Sequence, residues 1–232
     1  MDMLQQLQAQ AEQVEVLHVQ GESTKVRFES NSLKATQVEE TSGLAVRVIK
    51  DGRLGFAASS DVSATGKLMT NALESAAYGD AAPFMFPGFQ TPPEVACYDP
   101  TIAELSIPRL VEIGQEIMAY LREADPEGMV SVELQRRVER FSLRNHAGAD
   151  VAMMRTPFSL SFGVDRIKGD DVLMVYDMQG ATLWEDDFMA PVRRVAEKLQ
   201  LAQRIVPLSS GRMPVLFSPP GAVALTYPLM LG

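Results

Sequence analysis

The residues that most often carry catalysis are scarce in this sequence. Histidine occurs twice, as His18 and His146, and Cys97 is the single cysteine. A zinc site needs several closely spaced His, Cys or acidic ligands, and a serine nucleophile needs a base within hydrogen-bond distance. Neither histidine has a second one at helical spacing, and no serine lies in a nucleophile-elbow pattern. We therefore expect no catalytic residue, no metal ligand and no cofactor site in this chain.

Positive charge is concentrated in one stretch of an otherwise acidic chain. The set consists of Arg136, Arg137, Arg140, Arg144 and Arg155, together with His146. A guanidinium binds carboxylates through paired hydrogen bonds, so this set is a candidate contact for a peptide or a partner protein. A second interpretation is that these arginines pair across strands with Glu133 and Glu139 on a solvated sheet face. The sequence leaves both interpretations open.

The overall charge argues against a general nucleic-acid binder. The 232 residues carry 21 Lys and Arg against 30 Asp and Glu, a net charge of −9 at pH 7, whereas phosphate binding requires clustered basic residues. A single cysteine excludes an intrachain disulfide and is typical of a reducing compartment. The amino end has no secretory signal pattern, and no stretch is long and apolar enough to span a membrane. These features predict a cytoplasmic protein with no direct contact to nucleic acid or membrane.

The dipeptide Asp51-Gly52 predicts a β-hairpin, because apolar and β-branched runs flank it and it tolerates the positive φ of a tight turn. A two-residue loop pairs Arg47 with Phe56. A three-residue loop with a bulge at Gly52 instead places the apolar residues of both strands on one face. We expect the bulged loop, and the core residues of the hairpin are then Val46, Val48, Leu54 and Phe56.

The remaining pattern predicts an α+β fold with mostly antiparallel sheets and packed amphipathic helices. Short strands broken at Gly21-Glu22 precede the hairpin, a helix follows it, and the proline-rich segment 83–100 marks a boundary. Beyond it, two helices flank an antiparallel meander. We expect a sheet in each of two units, 1–95 and 96–232. A last strand is expected at 214–217, and the apolar end at 222–231 is either a cut within a larger fold or a terminal helix.

Several segments together resemble the TldD/PmbA family, whose members are often named modulators of DNA gyrase. The segment RFESNSLKATQVEETSGLAVRVIKDGRLGFAASSD resembles the family's amino-terminal core, and NHAGAD followed by RTPFSLS resembles its middle region. SSGRMPVLFSPPGAVAL resembles the lead into the carboxy-terminal domain and is more like the PmbA, or TldE, branch. The resemblance assigns 1–95 to the amino-terminal domain and 96–232 to the middle domain, without the carboxy-terminal domain.

The resemblance implies a two-subunit metalloprotease that processes or degrades unfolded peptides. In the TldD branch the metal is bound by an HExxxH motif beyond the matched region, and nothing in this sequence matches those ligands. This chain would then be the non-catalytic PmbA/TldE-type subunit or a fragment of it, and its partner would be a TldD-like subunit or a second copy of itself. An alternative is a peptide- or protein-binding module that uses a sheet edge and the arginine-rich face. A stand-alone hydrolase built on surface carboxylates has the least support.

Overall fold

The structure is a computed structural model that describes residues 3–91, 93–207, 209–219 and 221–231. The strands are β1 (Gln13–Glu29), β2 (Ser32–Lys50), β3 (Arg53–Ser59), β4 (Met129–Asn145), β5 (Asp150–Arg155), β6 (Phe158–Lys168) and β7 (Asp171–Ala181). The helices are α1 (Met3–Gln8), α2 (Thr65–Ser75), α3 (Pro100–Ala103), α4 (Ile107–Ala124), α5 (Ala190–Leu201) and α6 (Val223–Leu231). Pro92 of the predicted boundary segment, and the predicted domain ends Met1 and Gly232, lie outside the described residues.

The strands form one antiparallel sheet in the part of the chain that the structure describes. Its order is β3-β2-β1-β4-β6-β7, and β5 pairs with β4 beyond the end of β6. The predicted α+β class is confirmed. The expectation of a separate sheet in each unit is wrong, because β1 pairs with β4 from Glu15–Asn145 to Phe28–Val132. The predicted boundary near residue 95 stays a prediction.

The first strands are longer than the sequence indicates. Gly21 does not end a strand, and β1 pairs with β2 without interruption from Gln13 to Arg27. A Cβ at Gly21 would lie 2.9 Å from Thr41 Oγ1, so the missing side chain leaves space for the hydroxyl of Thr41 on the neighbouring strand. The glycine therefore marks a tight contact inside the sheet rather than a break.

The hairpin between β2 and β3 has the two-residue loop, so the bulged loop expected from the sequence is wrong. Asp51 and Gly52 have φ of 51° and 69°, the left-handed values of a type I′ turn. Lys50 is opposite Arg53, and Arg47 is opposite Phe56. As a result Phe56 is 55% exposed, whereas Val46 and Val48 are fully buried.

Helix α2 decides which face of this hairpin is buried. A Cβ built on Gly55 would lie 2.2 Å from the carbonyl oxygen of Ala72 in α2, so the helix backbone packs directly on the strand at this glycine. The face that carries Gly55 and Ala57 is therefore the core face. Leu54 lies on the opposite face with Phe56 and is half-buried.

Two hydrophobic clusters lie on the same face of the sheet. The first joins α1 and α2 to the amino-terminal end of β1 and includes Val14. The second joins α4 and α5 to the other end of β1 and includes Val26 and Phe28. Positions 14, 26 and 28 are separated by even numbers, and side chains of a strand alternate between faces. The strip of β1 between the two clusters is polar and contains Gln20 and Glu22.

The segment 82–99 has no helix or strand among its described residues, but side chains attach it to the sheet. Phe86 is 5% exposed, and its backbone N–H donates to Oε1 of Gln13 at 2.6 Å. Asn145 Nδ2 donates to the carbonyl oxygen of Pro87 at 2.8 Å. This segment therefore covers the start of β1 and the end of β4.

The chain divides into two compact units, Met1–Leu201 and Ala202–Gly232, and all strands and the first five helices lie in the first. In the second unit, α6 is an observed helix with Pro228 inside it and no buried side chain. The strand expected at 214–217 is absent, and these residues have no regular structure. Among the described residues, every helix is too short or too polar to cross a bilayer.

Candidate functional site

A groove separates the two helical layers on the core face of the sheet, and we call it the central groove. It has a volume of about 820 Å³. Its floor is formed by side chains of β2, β1 and β4, and its walls include Ser60 after β3 and Ala103 of α3. The polar floor residues are Gln20, Glu22, Glu40, Ser42, Arg136 and Arg140. Strands β2, β1 and β4 run side by side under it, so the groove crosses the strands.

Arg136 is fixed in the floor of the groove. Its side chain is 13% exposed, and Nη2 lies 2.7 Å from Oε1 of Glu22. Its Nε donates to the carbonyl oxygen of Leu105 at 2.8 Å. Charge-assisted hydrogen bonds of this kind are about twice as strong as neutral ones. Arg136 therefore ties the loop before α4 to the sheet and neutralises Glu22.

Arg140 and Glu40 have a different environment, because neither has an ion pair within the described ranges. The Nη2 of Arg140 is 3.4 Å from the thioether sulfur of Met154, which is a weak acceptor. Both residues are exposed. Arg140 lies opposite Gln20, which lies opposite Ser42, so these three side chains form one row across the sheet. The groove thus presents one cation and one anion that are available to a ligand.

The arginines predicted as one contact set do not lie on one face. Arg137 and Arg155 belong to the opposite face of the sheet from Arg136 and Arg140, because strand side chains alternate. Both bind Glu139, with Arg137 Nη1 at 3.4 Å from Oε1 and Arg155 Nε at 2.5 Å from Oε2. The guanidinium carbon of Arg155 is also 5.0 Å from the centre of the Phe141 ring. Arg155 and Glu139 make the cross-strand pair that the second interpretation describes, between β5 and β4. Arg137 instead binds Glu139 within β4, two residues along the same strand. Glu133 pairs with Lys25 at 3.5 Å.

Arg144 and His146 lie at the far end of β4. Arg144 Nε is 3.7 Å from Oδ2 of Asp150 across the β4–β5 hairpin. His146 Nδ1 accepts a hydrogen bond from the N–H of Val14 at 3.3 Å, and its ring packs edge-on against Phe86 at 6.4 Å. His146 therefore helps to hold the β4–β5 turn against the start of β1.

Several groove residues escaped the sequence analysis, although the sequence contains a signal for them. On the core face of β1 the alternating positions are apolar at both ends, at Val14–Val16 and Val26–Phe28, and polar from His18 to Thr24, where Gln20 and Glu22 lie. Glu40 and Ser42 likewise interrupt the alternating apolar positions of β2, between Val38 and Leu44. A polar break on the buried face of long strands indicates a gap between two covering layers. Recognising it required knowing that β1 and β2 are each continuous.

Asp99 holds the wall of the groove at α3. Its carboxylate accepts the N–H of Trp184 at 2.7 Å and the N–H of Thr101 at 2.7 Å. These hydrogen bonds, with that from Trp184 the largest cause, lower the pKa of Asp99 below the usual aspartate value. Its own N–H donates to Oγ1 of the buried Thr156 at 2.8 Å. Asp99 thereby joins α3 to the β5–β6 corner and to the loop after β7.

Within the described ranges, no three His, Cys, Asp or Glu side chains are grouped so that they could hold a metal ion. The described residues therefore offer no ligand set for a metal ion, and the expectation of no metal ligand stays a prediction.

Comparison with known proteins identifies relatives of both sequence and fold. Residues 14–77 match the family model described as PmbA/TldA metallopeptidase domain 1. TldE from Thermococcus kodakarensis has a similar structure, with a TM-score of 0.79 and 20% identity, over 89% of this chain and 48% of that one. No curated protein matches this chain.

Two further solved structures have the same fold. One is a candidate modulator of a DNA gyrase from Thermotoga maritima, with a TM-score of 0.73 and 18% identity, over 85% of this chain and 47% of that one. Another is a candidate modulator of DNA gyrase from Bacteroides thetaiotaomicron, with a TM-score of 0.73 and 16% identity, over 85% and 48%. The chain therefore spans about half the length of the solved structures it matches.

Proposed function

We propose that this chain, whose residues 14–77 match the model of PmbA/TldA metallopeptidase domain 1, is a non-catalytic PmbA/TldE-type subunit of the TldD/PmbA family, or part of one. In this role it packs against a TldD-like metallopeptidase subunit, or a second copy of itself, in an assembly that processes or degrades peptides. The metal and its chemistry belong to the TldD-like subunit. The compartment in this proposal is the cytoplasm.

The match of residues 14–77 to a metallopeptidase-family domain is the observation that carries the proposal. Two further observations support it. The segment SSGRMPVLFSPPGAVAL resembles the PmbA/TldE branch, and the solved structure of a protein named TldE has the same fold over 89% of this chain. The net charge of −9 also favours a protein or peptide partner over DNA.

The test compares the purified chain alone, a TldD-like subunit alone and an equimolar mixture. We expect the mixture to elute as one complex in size-exclusion chromatography and to cleave an unfolded peptide in a chelator-sensitive reaction. The chain alone should neither cleave the peptide nor retain stoichiometric zinc after dialysis. Chelator-sensitive cleavage by the chain alone, or failure of the two chains to associate, contradicts the proposal.

A second candidate function is peptide binding without catalysis, and the available charges of the central groove favour it. Strand β7 lies at one end of the sheet and β3 at the other. Asp80 and Ala81 partly cover the edge of β3, so β7 is the more open of these two end strands. An extended peptide can add to such an open edge through backbone hydrogen bonds. Amide chemical shifts of the full chain during titration with extended peptides test this function, and unchanged shifts throughout contradict it.

A further inference from the structure

We propose that the central groove binds an extended peptide segment and that Arg140 receives a carboxylate of that segment. This inference deepens the second candidate function, peptide binding, and depends on it. It differs from edge binding in where the peptide lies and in how it is recognised.

The direction of the groove determines the type of recognition. Its floor is formed by side chains of β2, β1 and β4. Strand β1 is paired on both sides, whereas β2 pairs with β3 only from Leu44 to Lys50, so the outer edge of β2 at Glu40 and Ser42 has no ladder partner among the described strands. A chain that lies across the strands cannot extend those ladders, because ladder hydrogen bonds lie in the plane of the sheet. Side chains of the floor must therefore provide the polar contacts to the ligand.

Arg140 is the floor residue best placed to select a ligand. Arg136 is already neutralised by Glu22 at 2.7 Å, whereas Arg140 contacts the weak acceptor sulfur of Met154 at 3.4 Å. A carboxylate is a far stronger partner for a guanidinium than a thioether, and it can bind in bidentate fashion. Gln20, beside Arg140 in the same row, can donate to the same carboxylate.

Glu40 gives the site a direction. It lies one row from Arg140 and two strands away, on β2. With strands about 4.8 Å apart and a rise of about 3.4 Å per residue, the two backbone positions are about 12 Å apart. An extended peptide covers that distance in about four residues, and side chains four apart point to the same side. The favoured peptide therefore carries a carboxylate at one position and a cation four positions away.

The space is sufficient for such a segment. A volume of about 820 Å³ lies within the range of about 300–1,000 Å³ that is typical of ligand sites. Ala103, Val138 and Met154 add apolar surface beside the charged floor. The same carboxylate could come from an acidic side chain or from the free carboxyl end of a peptide, and the experiment separates the two.

The experiment is an NMR titration of the full 232-residue chain. The probes are Gly/Ser peptides with blocked ends that carry Glu and Lys four residues apart, the same peptide with Gln for Glu, and that Gln peptide with a free carboxyl end. We expect the Glu peptide to shift the amides of Gln20 and Ser42, and the blocked Gln peptide to bind at least about tenfold more weakly. Binding of the free-ended Gln peptide at the same amides identifies a terminal carboxylate as an equivalent source.

Variants make the proposal specific to Arg140. Arg140→Gln should weaken binding of the Glu peptide at least about tenfold, and Arg140→Glu should reverse the preference toward the Gln peptide. The matched control is Arg27→Gln, which removes one arginine from the opposite face of β1, where Arg27 lies 3.3 Å from Glu29. The control should bind like the wild type.

The outcomes separate this inference from the functions proposed above. Shifts confined to β7 or to residues 32–43 on the outer edge of β2, or equal affinity of Arg140→Gln and the wild type, overturn the groove assignment and leave peptide binding at a sheet edge. No binding of any peptide overturns both the inference and the second candidate function. Association with a TldD-like subunit is measured separately, and its result affects neither the groove assignment nor the second candidate function, peptide binding.

Discussion

The substitution Gly55→Ala tests the packing that determines which face of the hairpin is buried. The new Cβ would lie 2.2 Å from the carbonyl oxygen of Ala72 and 2.9 Å from the Cβ of Ala76. A carbon–oxygen contact normally exceeds about 3.3 Å, so α2 must move outward by about 1 Å. The oxygen belongs to the backbone and cannot rotate away as a side chain does. The displaced residues include Leu68 and Ala72, which are 3% and 0% exposed.

The expected cost follows from two opposing terms. Overpacking of a well-packed core costs about 1–3 kcal/mol, and a rigid backbone contact places this site at the upper end. Replacing glycine by alanine also restricts the unfolded chain, which offsets about 0.4–1 kcal/mol. We therefore expect Gly55→Ala to lower the free energy of unfolding by about 2 kcal/mol.

The assay is urea unfolding followed by far-UV circular dichroism, with midpoint and slope fitted for each variant. Gly66→Ala is the matched control, because Gly66 lies in the same helix α2 and a Cβ there meets no atom within 4 Å. That variant should be unchanged or more stable by up to about 1 kcal/mol. If Gly55→Ala unfolds within about 0.5 kcal/mol of the wild type, the helix does not pack on the strand at this glycine and the reasoning is refuted.

Two further predictions use the hairpin register and Asp99. Val48→Ala should lower the free energy of unfolding by about 2–3 kcal/mol, because Val48 is fully buried. Phe56→Ala should lower it by less than about 1 kcal/mol, because Phe56 is 55% exposed. Urea unfolding measures both variants, and a larger loss for Phe56→Ala than for Val48→Ala would indicate the bulged register. Asp99→Asn should be less stable than the wild type at neutral pH, because the lowered pKa of Asp99 means that its carboxylate contributes stability above the unfolded pKa. That contribution is lost as the pH falls through the folded pKa of Asp99. The difference in urea midpoint between Asp99→Asn and the wild type should therefore narrow between about pH 7 and about pH 3. A difference that stays constant with pH contradicts the lowered pKa of Asp99.

The sequence predicted the element types well where a pattern was long and amphipathic. Helix α4 begins after Ser106, whose Oγ accepts the N–H of Arg109 at 3.3 Å, and it ends before the turn at Asp125-Pro126, as the capping pattern indicates. The hairpin turn at Asp51-Gly52 was likewise found from local conformational preference. Local signals of this kind depend on neighbours in the chain, and these are visible in the sequence.

The candidate site was only partly predictable. Arg136 and Arg140 were among the residues singled out, and they do line the central groove. Arg137 and Arg155 lie on the other face, bound to Glu139. The sequence could not indicate Glu40 and Ser42 as their neighbours, because β2 and β4 are both paired with β1 and the contact is separated by about a hundred residues of chain.

The sequence by itself determined the type of the long amphipathic helices and of the strands in 13–181, the α+β class, the acidic charge and the resemblance of residues 14–77 to a known domain. Tertiary structure alone decided the hairpin register, the joining of all strands in one sheet and the groove between two helical layers. The physical reason is that register and sheet pairing depend on what covers each face. For Gly55 that cover is the backbone of α2, which local propensity does not report. Pairing of β1 with β4 likewise brings Glu22 and Arg136 within 2.7 Å and forms the groove floor where the two helical layers part.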